Sequence, residues 1–337
     1  MDVLTHALAS VAVARIAIPR ASRAAWVAII LAGIVPEIDE LSALAGPSSY
    51  LRWHHTYTHS LAAAGLITAL ATAVCLALKP KIAASIVTST SSIVLSLFAV
   101  SVLHLTLDAC QSDGIAALWP FTPRRFEGDL LARIDPWIIA IFVAAILLPE
   151  LLRLVSAEIG SKDKSPRGRF GAALGIFLVF TYIGARTMLH ANVIAAVETR
   201  SYRGESPRRA AAFPESVSPF TWHAIVETDR ALHVLTVNEM PGAPFDPEAG
   251  IVLFKPESSP VLEGARQSPA AKKFLTVARF PKASIEKTLE GCQVQLRDLR
   301  YVAASNTQRE MAVFVETDPV GSLRSSELVW ASDLSRK

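Results

Sequence analysis

Histidines and carboxylates recur at four places in the first 110 residues, each beside an apolar stretch. His6 follows "MDVLT", Glu37 and Asp39 lie in "PEIDE", His54, His55 and His59 lie in "HHTYTH", and His104 and Asp108 lie in "HLTLDA". The last pair has i,i+4 spacing, so both side chains leave one helical face. A His–Asp hydrogen bond and a pair of metal ligands explain that spacing equally well. Imidazole with carboxylate and no thiolate suits zinc, and also manganese or iron. Three histidines and two aspartates (His6, His59, His104, Asp39, Asp108) exceed the four ligands of one tetrahedral zinc. A bridging carboxylate holding two or more ions is then open. Such a cluster polarises a phosphoryl oxygen and generates hydroxide near neutral pH. Taken singly, the members have plainer roles: Asp39 as an interfacial carboxylate, His6 as a helix-start residue.

The elements that must position these groups are apolar. The 337-residue chain is 51% hydrophobic and only 19% charged, below the roughly 25% charged usage of soluble proteins. Apolar segments run at about 7–18, 24–36, 60–78, 84–108, 136–155 and 170–197. The last four have the length of about 20 residues that crosses a bilayer, and the first two are short. The connectors "RIAIPRASR", "KPK" and "RLVSAEIGSKDKSPRGR" are basic and join segments one to two, three to four and five to six. By the positive-inside rule they are cytoplasmic. The reactive residues then all sit at the other, non-cytoplasmic helix ends, together with everything after residue 197. Ionisable groups near membrane depth are costly and usually serve a function.

The character changes after the apolar half. Residues 199–214 read as a Pro/Ser/Arg-rich linker, and 215–337 as a small soluble β-rich domain with a helix around 262–277. The fold expected is mainly α: a polytopic membrane helical bundle of about six helices, two of them short, over residues 1–198, followed by that β-rich domain. A net charge of +3 gives no argument for nucleic acid, and three scattered cysteines suggest no disulfide framework. No GxSxG, Walker A, GxGxxG or HExxH motif is present.

The stretches "MDVLTHALAS", "PEIDEL", "HHTYTHSL", "HLTLDACQSDGIAALWPF" and "RIDPW" resemble, in that order, the YdjM-type family of membrane-bound metal-dependent hydrolases. The resemblance covers about residues 1–140. It nominates Asp2, His6, Asp39, His54, His59, His104, Asp108 and Asp135. It departs from the family pattern at Glu37, where Asp is usual, and at His55 and Thr56, where Arg-Gly is usual. The family is remotely similar to zinc-dependent phospholipase C, which implies a multi-zinc site and phosphoester chemistry.

The reading that results is a metal-dependent hydrolase of the inner membrane, acting on a phosphoester of a lipid or lipid-linked substrate. His6, Asp39, His54, His59, His104 and Asp108 are the expected metal ligands. Glu37 or Asp2 is the candidate general base. Arg124 and Arg125 in "PFTPRR" are candidates to neutralise phosphate charge, with a solvated loop as their plainer reading. Asp135 reads equally as a site residue or as a helix N-cap. The alternative is a membrane transporter or metal-binding adaptor that uses the same polar layer without hydrolysis.

Overall fold

A computed structural model describes residues 1–19, 21–82, 89–158, 168–240, 242–243, 245–303 and 310–332. Most of the third basic connector, including Pro166, lies outside the described residues, as does Arg20. The chain divides into two compact units: one of residues 1–39 and 55–187, the other of residues 40–54 and 188–337.

The first unit is helical. It contains α1 (Val3–Ala17), α2 (Arg23–Ile34), the start of a 3-10 segment (Val35–Ala45), α4 (Leu61–Ile82), α5 (Thr90–Ala109), α6 (Pro136–Glu158) and most of α7 (Arg169–Glu198). Between these falls α3 (Pro47–Trp53), which belongs to the second unit. Among the described residues, three stretches are long and apolar enough to cross a membrane: Thr90–Ala109, Pro136–Leu154 and Arg169–Glu198. The fourth stretch expected to do so begins α4, whose described apolar part, Leu61–Ala77, is shorter.

In this unit large apolar side chains face outward as well as inward. Leu66, Leu70, Leu147, Leu151, Phe177 and Phe180 are exposed, whereas Ser10, Ser96, Ser101 and Thr68 are buried. The buried hydroxyls of Ser96 and Ser101 donate to the carbonyls of Ser92 and Leu97 one turn back, so they add no unmet polar group. An outward apolar face suits hydrocarbon, and small inward residues let helices approach closely. Gly175 of α7 abuts Ala145 of α6, where an added Cβ would come 2.4 Å from the Ala145 Cβ. At the end of α1, Arg15 pairs with Glu150 of α6 at 3.4 Å and donates to the Ile146 carbonyl at 2.8 Å.

Gly33 is the tightest contact that bears on the site. A Cβ there would lie 2.0 Å from the Ser10 hydroxyl oxygen, which is itself held by the His6 carbonyl at 2.7 Å. The Gly33 carbonyl in turn accepts from His104 Nδ1 at 2.7 Å. Gly33→Ala is therefore expected to cost about 1–3 kcal/mol by overpacking. It should lower the melting temperature of the detergent-purified protein and its metal retention together. An unchanged melting curve would mean that α1 and α2 are not packed this closely.

The second unit is mixed. Strands β1 (Arg209–Pro214), β2 (Thr221–Glu227), β3 (Ala231–Asn238) and β4 (Ile251–Phe254) form one antiparallel sheet in sequence order. Strands β5 (Pro281–Thr288), β6 (Gly291–Asp298), β7 (Met311–Thr317) and β8 (Leu323–Trp330) form another. Between the sheets in sequence come α8 (Pro260–Gln267) and α9 (Pro269–Leu275), while α10 (Leu299–Ala303) follows β6. The single helix expected over 262–277 is thus two. Pro269 has no N–H to continue α8, and the Ser268 hydroxyl instead caps α9 through Ala271 N–H at 3.3 Å. Part of the expected linker is ordered as β1, which pairs with β2 from Arg209↔Glu227 to Pro214↔Trp222.

Helix α3, read from sequence as loop, is a further difference. It starts where Gly46 takes a positive φ of 92° and Pro47 occupies the first turn. Its Tyr50 packs with Val261, Leu262 and Phe274. Seven residues carry too little periodicity to announce a helix, and tertiary packing supplies the stability. The chain is thus mainly α, with antiparallel β structure in its C-terminal part.

Candidate metal centre

Each reactive side chain is presented by a local feature of its own element. Asp2 caps α1, accepting from Thr5 N–H at 3.0 Å and the Thr5 hydroxyl at 2.5 Å, and this sets His6 on the first turn, facing inward. After Gly33 the chain tightens into the 3-10 segment beginning Val35-Pro36. That turn buries Glu37 and Asp39 while leaving Ile38 and Leu41 exposed. His55 takes a left-handed φ of 57°, and Ser60 caps α4 through Ala63 N–H at 3.1 Å. His104 and Asp108 lie on one face of the last turn and a half of α5, both buried.

These residues converge. His6 Nε2 is 3.2 Å from Glu37 Oε1 and 3.2 Å from Asp108 Oδ1. His104 Nε2 is 3.0 Å from Asp108 Oδ2, and His59 Nε2 is 3.4 Å from the same oxygen. The rings of His6 and His104 stack at 3.8 Å. The amino group of Met1 contacts Asp108 and lies 3.9 Å from Glu37 Oε1. Two groups of ligand atoms are close enough to hold an ion: His6, Glu37, His104 and Asp108 in one, His55, His59 and Asp108 in the other. All six residues are at most 6% exposed, so their polar atoms cannot turn to water.

Three of the imidazoles are fixed through Nδ1. That nitrogen faces the Gly33 carbonyl at 2.7 Å in His104, the Gly114 carbonyl at 2.9 Å in His55, and Asp39 Oδ2 at 2.9 Å in His59. A carbonyl or carboxylate oxygen can only accept, so each Nδ1 carries a proton. Such outer partners orient metal-binding histidines. Glu37 Oε1, His104 Nε2 and Asp108 Oδ2 are buried and make no hydrogen bond within the described residues, although they lie close to other ligand atoms. Proximity without hydrogen-bond geometry suits atoms sharing one cation, since ligands about 2.0–2.2 Å from zinc stand about 3.3–3.6 Å from each other in a tetrahedron.

The electrostatics lean the same way. Burial opposes a charge on His59, yet its contacts with Asp108 and Asp39 outweigh that and hold its pKa up at about 9. Burial also pushes Glu37 up. The close contact and charge of His6, with the nearby amino terminus, more than offset this and leave its carboxyl below the usual range. The pocket therefore draws positive charge to its carboxylates.

The other residues singled out in the sequence stand as follows. Asp2 is engaged as the α1 cap. Asp39 Oδ2 accepts from His55 N–H at 2.9 Å and the Thr58 hydroxyl at 2.7 Å, and faces His59 Nδ1 at 2.9 Å. His54 stacks on Tyr50 at 4.3 Å, with Nδ1 3.6 Å from Glu40, within the second unit. Arg125 donates to the Asp113 carbonyl at 3.3 Å and to the Thr56 hydroxyl at 3.2 Å, which ties it to the histidine loop. Arg124 is exposed, its guanidinium 5.8 Å from the Phe126 ring centroid. Asp135 caps α6 through Trp137 and Ile138 N–H at 3.0 and 3.2 Å, and accepts from the Tyr182 hydroxyl at 3.1 Å.

Sequence reasoning passed over His55 as a ligand, and Gln111 altogether. Gln111 is 3% exposed and donates to Asp108 Oδ1 at 2.8 Å. Its place three residues after Asp108, where a helix would bring it back to the same face, was the available signal.

Fold and site together define a membrane protein with a buried histidine–carboxylate centre fit for a metal ion. The model of the family described as YdjM inner membrane protein matches residues 1–193. The chain belongs to that family. No curated protein and no solved structure matches it.

Proposed function

We propose that this chain is a membrane-bound metal-dependent hydrolase that cleaves a phosphoester in a lipid or lipid-linked substrate. The observation that carries the reading is the set of buried, convergent atoms Glu37 Oε1, His104 Nε2 and Asp108 Oδ2, which lack hydrogen-bond partners among the described residues. His6, Glu37, His104 and Asp108 would hold zinc, with manganese or iron as alternatives for this donor set. Bound there, the ion supplies Lewis acidity toward a phosphoryl oxygen and lowers the pKa of water.

The protein's own part is positioning. Gly33 O and Asp39 hold the imidazoles of His104 and His59 in one tautomer, so no reorganisation accompanies the reaction. Arg125, which donates to Thr56 and to the Asp113 carbonyl, brings a positive charge beside the histidine loop that would neutralise phosphate oxygens. Arg124 sits in the same loop as Phe121, which is 91% exposed. A cation beside an exposed aromatic suits the boundary between headgroups and acyl chains. Exposed Val3, Leu4 and Ile38 beside the site residues fit a lipid substrate as well. The site would face the non-cytoplasmic side, because the connectors at the other helix ends are basic in sequence and the positive-inside rule makes them cytoplasmic.

The test is hydrolysis of defined substrates by metal-loaded, detergent-purified protein. Vesicles of phosphatidylethanolamine and phosphatidylglycerol, and separately a polyprenyl diphosphate, would be followed by mass spectrometry for the lipid and phosphate products. Product formation that depends on the metal is expected. Arg124→Ala should raise KM several-fold and leave kcat close to wild type, as removal of a binding contact does. Metal-loaded protein that releases nothing from either substrate would abandon hydrolysis for the transporter or adaptor reading.

A further inference from the structure

We infer that the centre holds two ions, with Asp108 as the shared carboxylate and His55 as a ligand of the second. The inference rests on the metal-centre reading and extends it, since the second ion pocket is made of His55, His59 and Asp108.

The argument begins with the backbone of His55. A non-glycine residue at φ 57° is disfavoured, because its Cβ crowds the following carbonyl oxygen, and it persists only where its surroundings hold it. Here three contacts do so. The His55 N–H donates to Asp39 Oδ2 at 2.9 Å, its carbonyl accepts from Ala116 N–H at 3.0 Å, and its ring meets the Gly114 carbonyl at 2.9 Å. Gly114 can offer that carbonyl because it too has a positive φ, 61°, and because a Cβ there would meet the Phe126 carbonyl oxygen at 2.7 Å. These contacts do more than bury a ring. They fix the proton on Nδ1 and hold the ring beside that of His59, with centroids 4.4 Å apart, in the group with Asp108.

Asp108 supplies the link. Its Oδ1 is 3.2 Å from His6 Nε2, and its Oδ2 is 3.0 Å from His104 Nε2 and 3.4 Å from His59 Nε2, so this carboxylate reaches histidines of both groups. One carboxylate spanning two ligand sets is how a two-ion centre is bridged. Asp39 then belongs outside the coordination shell: Oδ2 already serves His55, Thr58 and His59, and orients two ligands at once. Glu37, Asp39 and Asp108 place three buried carboxylates in one cluster, with the Met1 amino group against Asp108.

The experiment is metal stoichiometry by elemental mass spectrometry on the full chain in detergent, loaded with zinc and then desalted. Wild type should retain two zinc ions per chain. His55→Asn should retain one, because Asn accepts left-handed backbone but lacks the imidazole. His55→Gly, which relieves the backbone strain, should also retain one and melt no lower than His55→Asn without metal. A wild-type value of one overturns the inference while leaving a single-ion hydrolase standing. Two ions kept by both His55 variants overturns the role of His55. No retained zinc in wild type overturns the inference together with the metal centre beneath it. Two ions without hydrolysis of any phosphoester would instead remove the proposed reaction and leave the two-ion centre intact.

Discussion

Asp108→Asn is expected to strip the protein of metal and reduce phosphoester hydrolysis to background. The substitution keeps shape and removes one charge at the residue that the most ligands share. Oδ1 is 3.2 Å from His6 Nε2 and accepts from Gln111 Nε2 at 2.8 Å, while Oδ2 is 3.0 Å from His104 Nε2 and 3.4 Å from His59 Nε2. Loss of an outer partner of a metal ligand typically weakens binding 10–100-fold. Loss of a shared ligand should therefore exceed about a hundredfold. The metal-free variant should also be less stable, because removing one partner of a buried charge pair costs about 3–5 kcal/mol. Gln111→Leu separates the two effects. It removes only the 2.8 Å contact to Oδ1 and should reduce zinc affinity about tenfold without emptying the site. Zinc titration monitored by competition with a chromophoric chelator measures both variants. Wild-type affinity in Asp108→Asn would remove Asp108 from the centre.

Chelation should destabilise the wild-type protein, and the variants should respond in proportion to the ligands they keep. An ion present at a thousandfold over its Kd stabilises the folded state by about 4 kcal/mol. For a unit of this size that is roughly 8–16 °C in Tm, at about 2–4 °C per kcal/mol. The dependence follows from burial: Glu37 and Asp108 are 6% and 0% exposed and cannot be solvated when the cation leaves. A melting curve by intrinsic fluorescence, with EDTA and then with zinc restored, is the measurement. Asp108→Asn should show one Tm under all three conditions. A wild-type Tm indifferent to EDTA and zinc alike would argue that the cluster is a self-sufficient hydrogen-bonded core.

The amino-acid sequence determined the apolar half, the β-rich second half, and the His and carboxylate stations at the helix ends. These are local signals: hydropathy over about 20 residues marks a span, i,i+4 spacing puts His104 and Asp108 on one face, and alternation with turn residues marks strands such as Ala231–Asn238. Tertiary structure decided the division of labour within the cluster. Glu37 and Asp39 are two residues apart and identical in charge, yet one faces His6 directly and the other holds His55, Thr58 and His59 in place. Nothing in "PEIDE" separates them, because their roles depend on what α1 and the histidine loop bring to each side. His55 likewise looked like an extra histidine until its φ, the Gly114 carbonyl 59 positions later and the Asp39 carboxylate fixed its ring. The second unit shows the same limit, for α3 and part of the expected linker are ordered by contacts with residues far along the chain. Periodicity reports on a residue's neighbours in sequence. The tautomer and aim of a buried imidazole are set by hydrogen bonds from distant segments, and only the assembled fold brings those together.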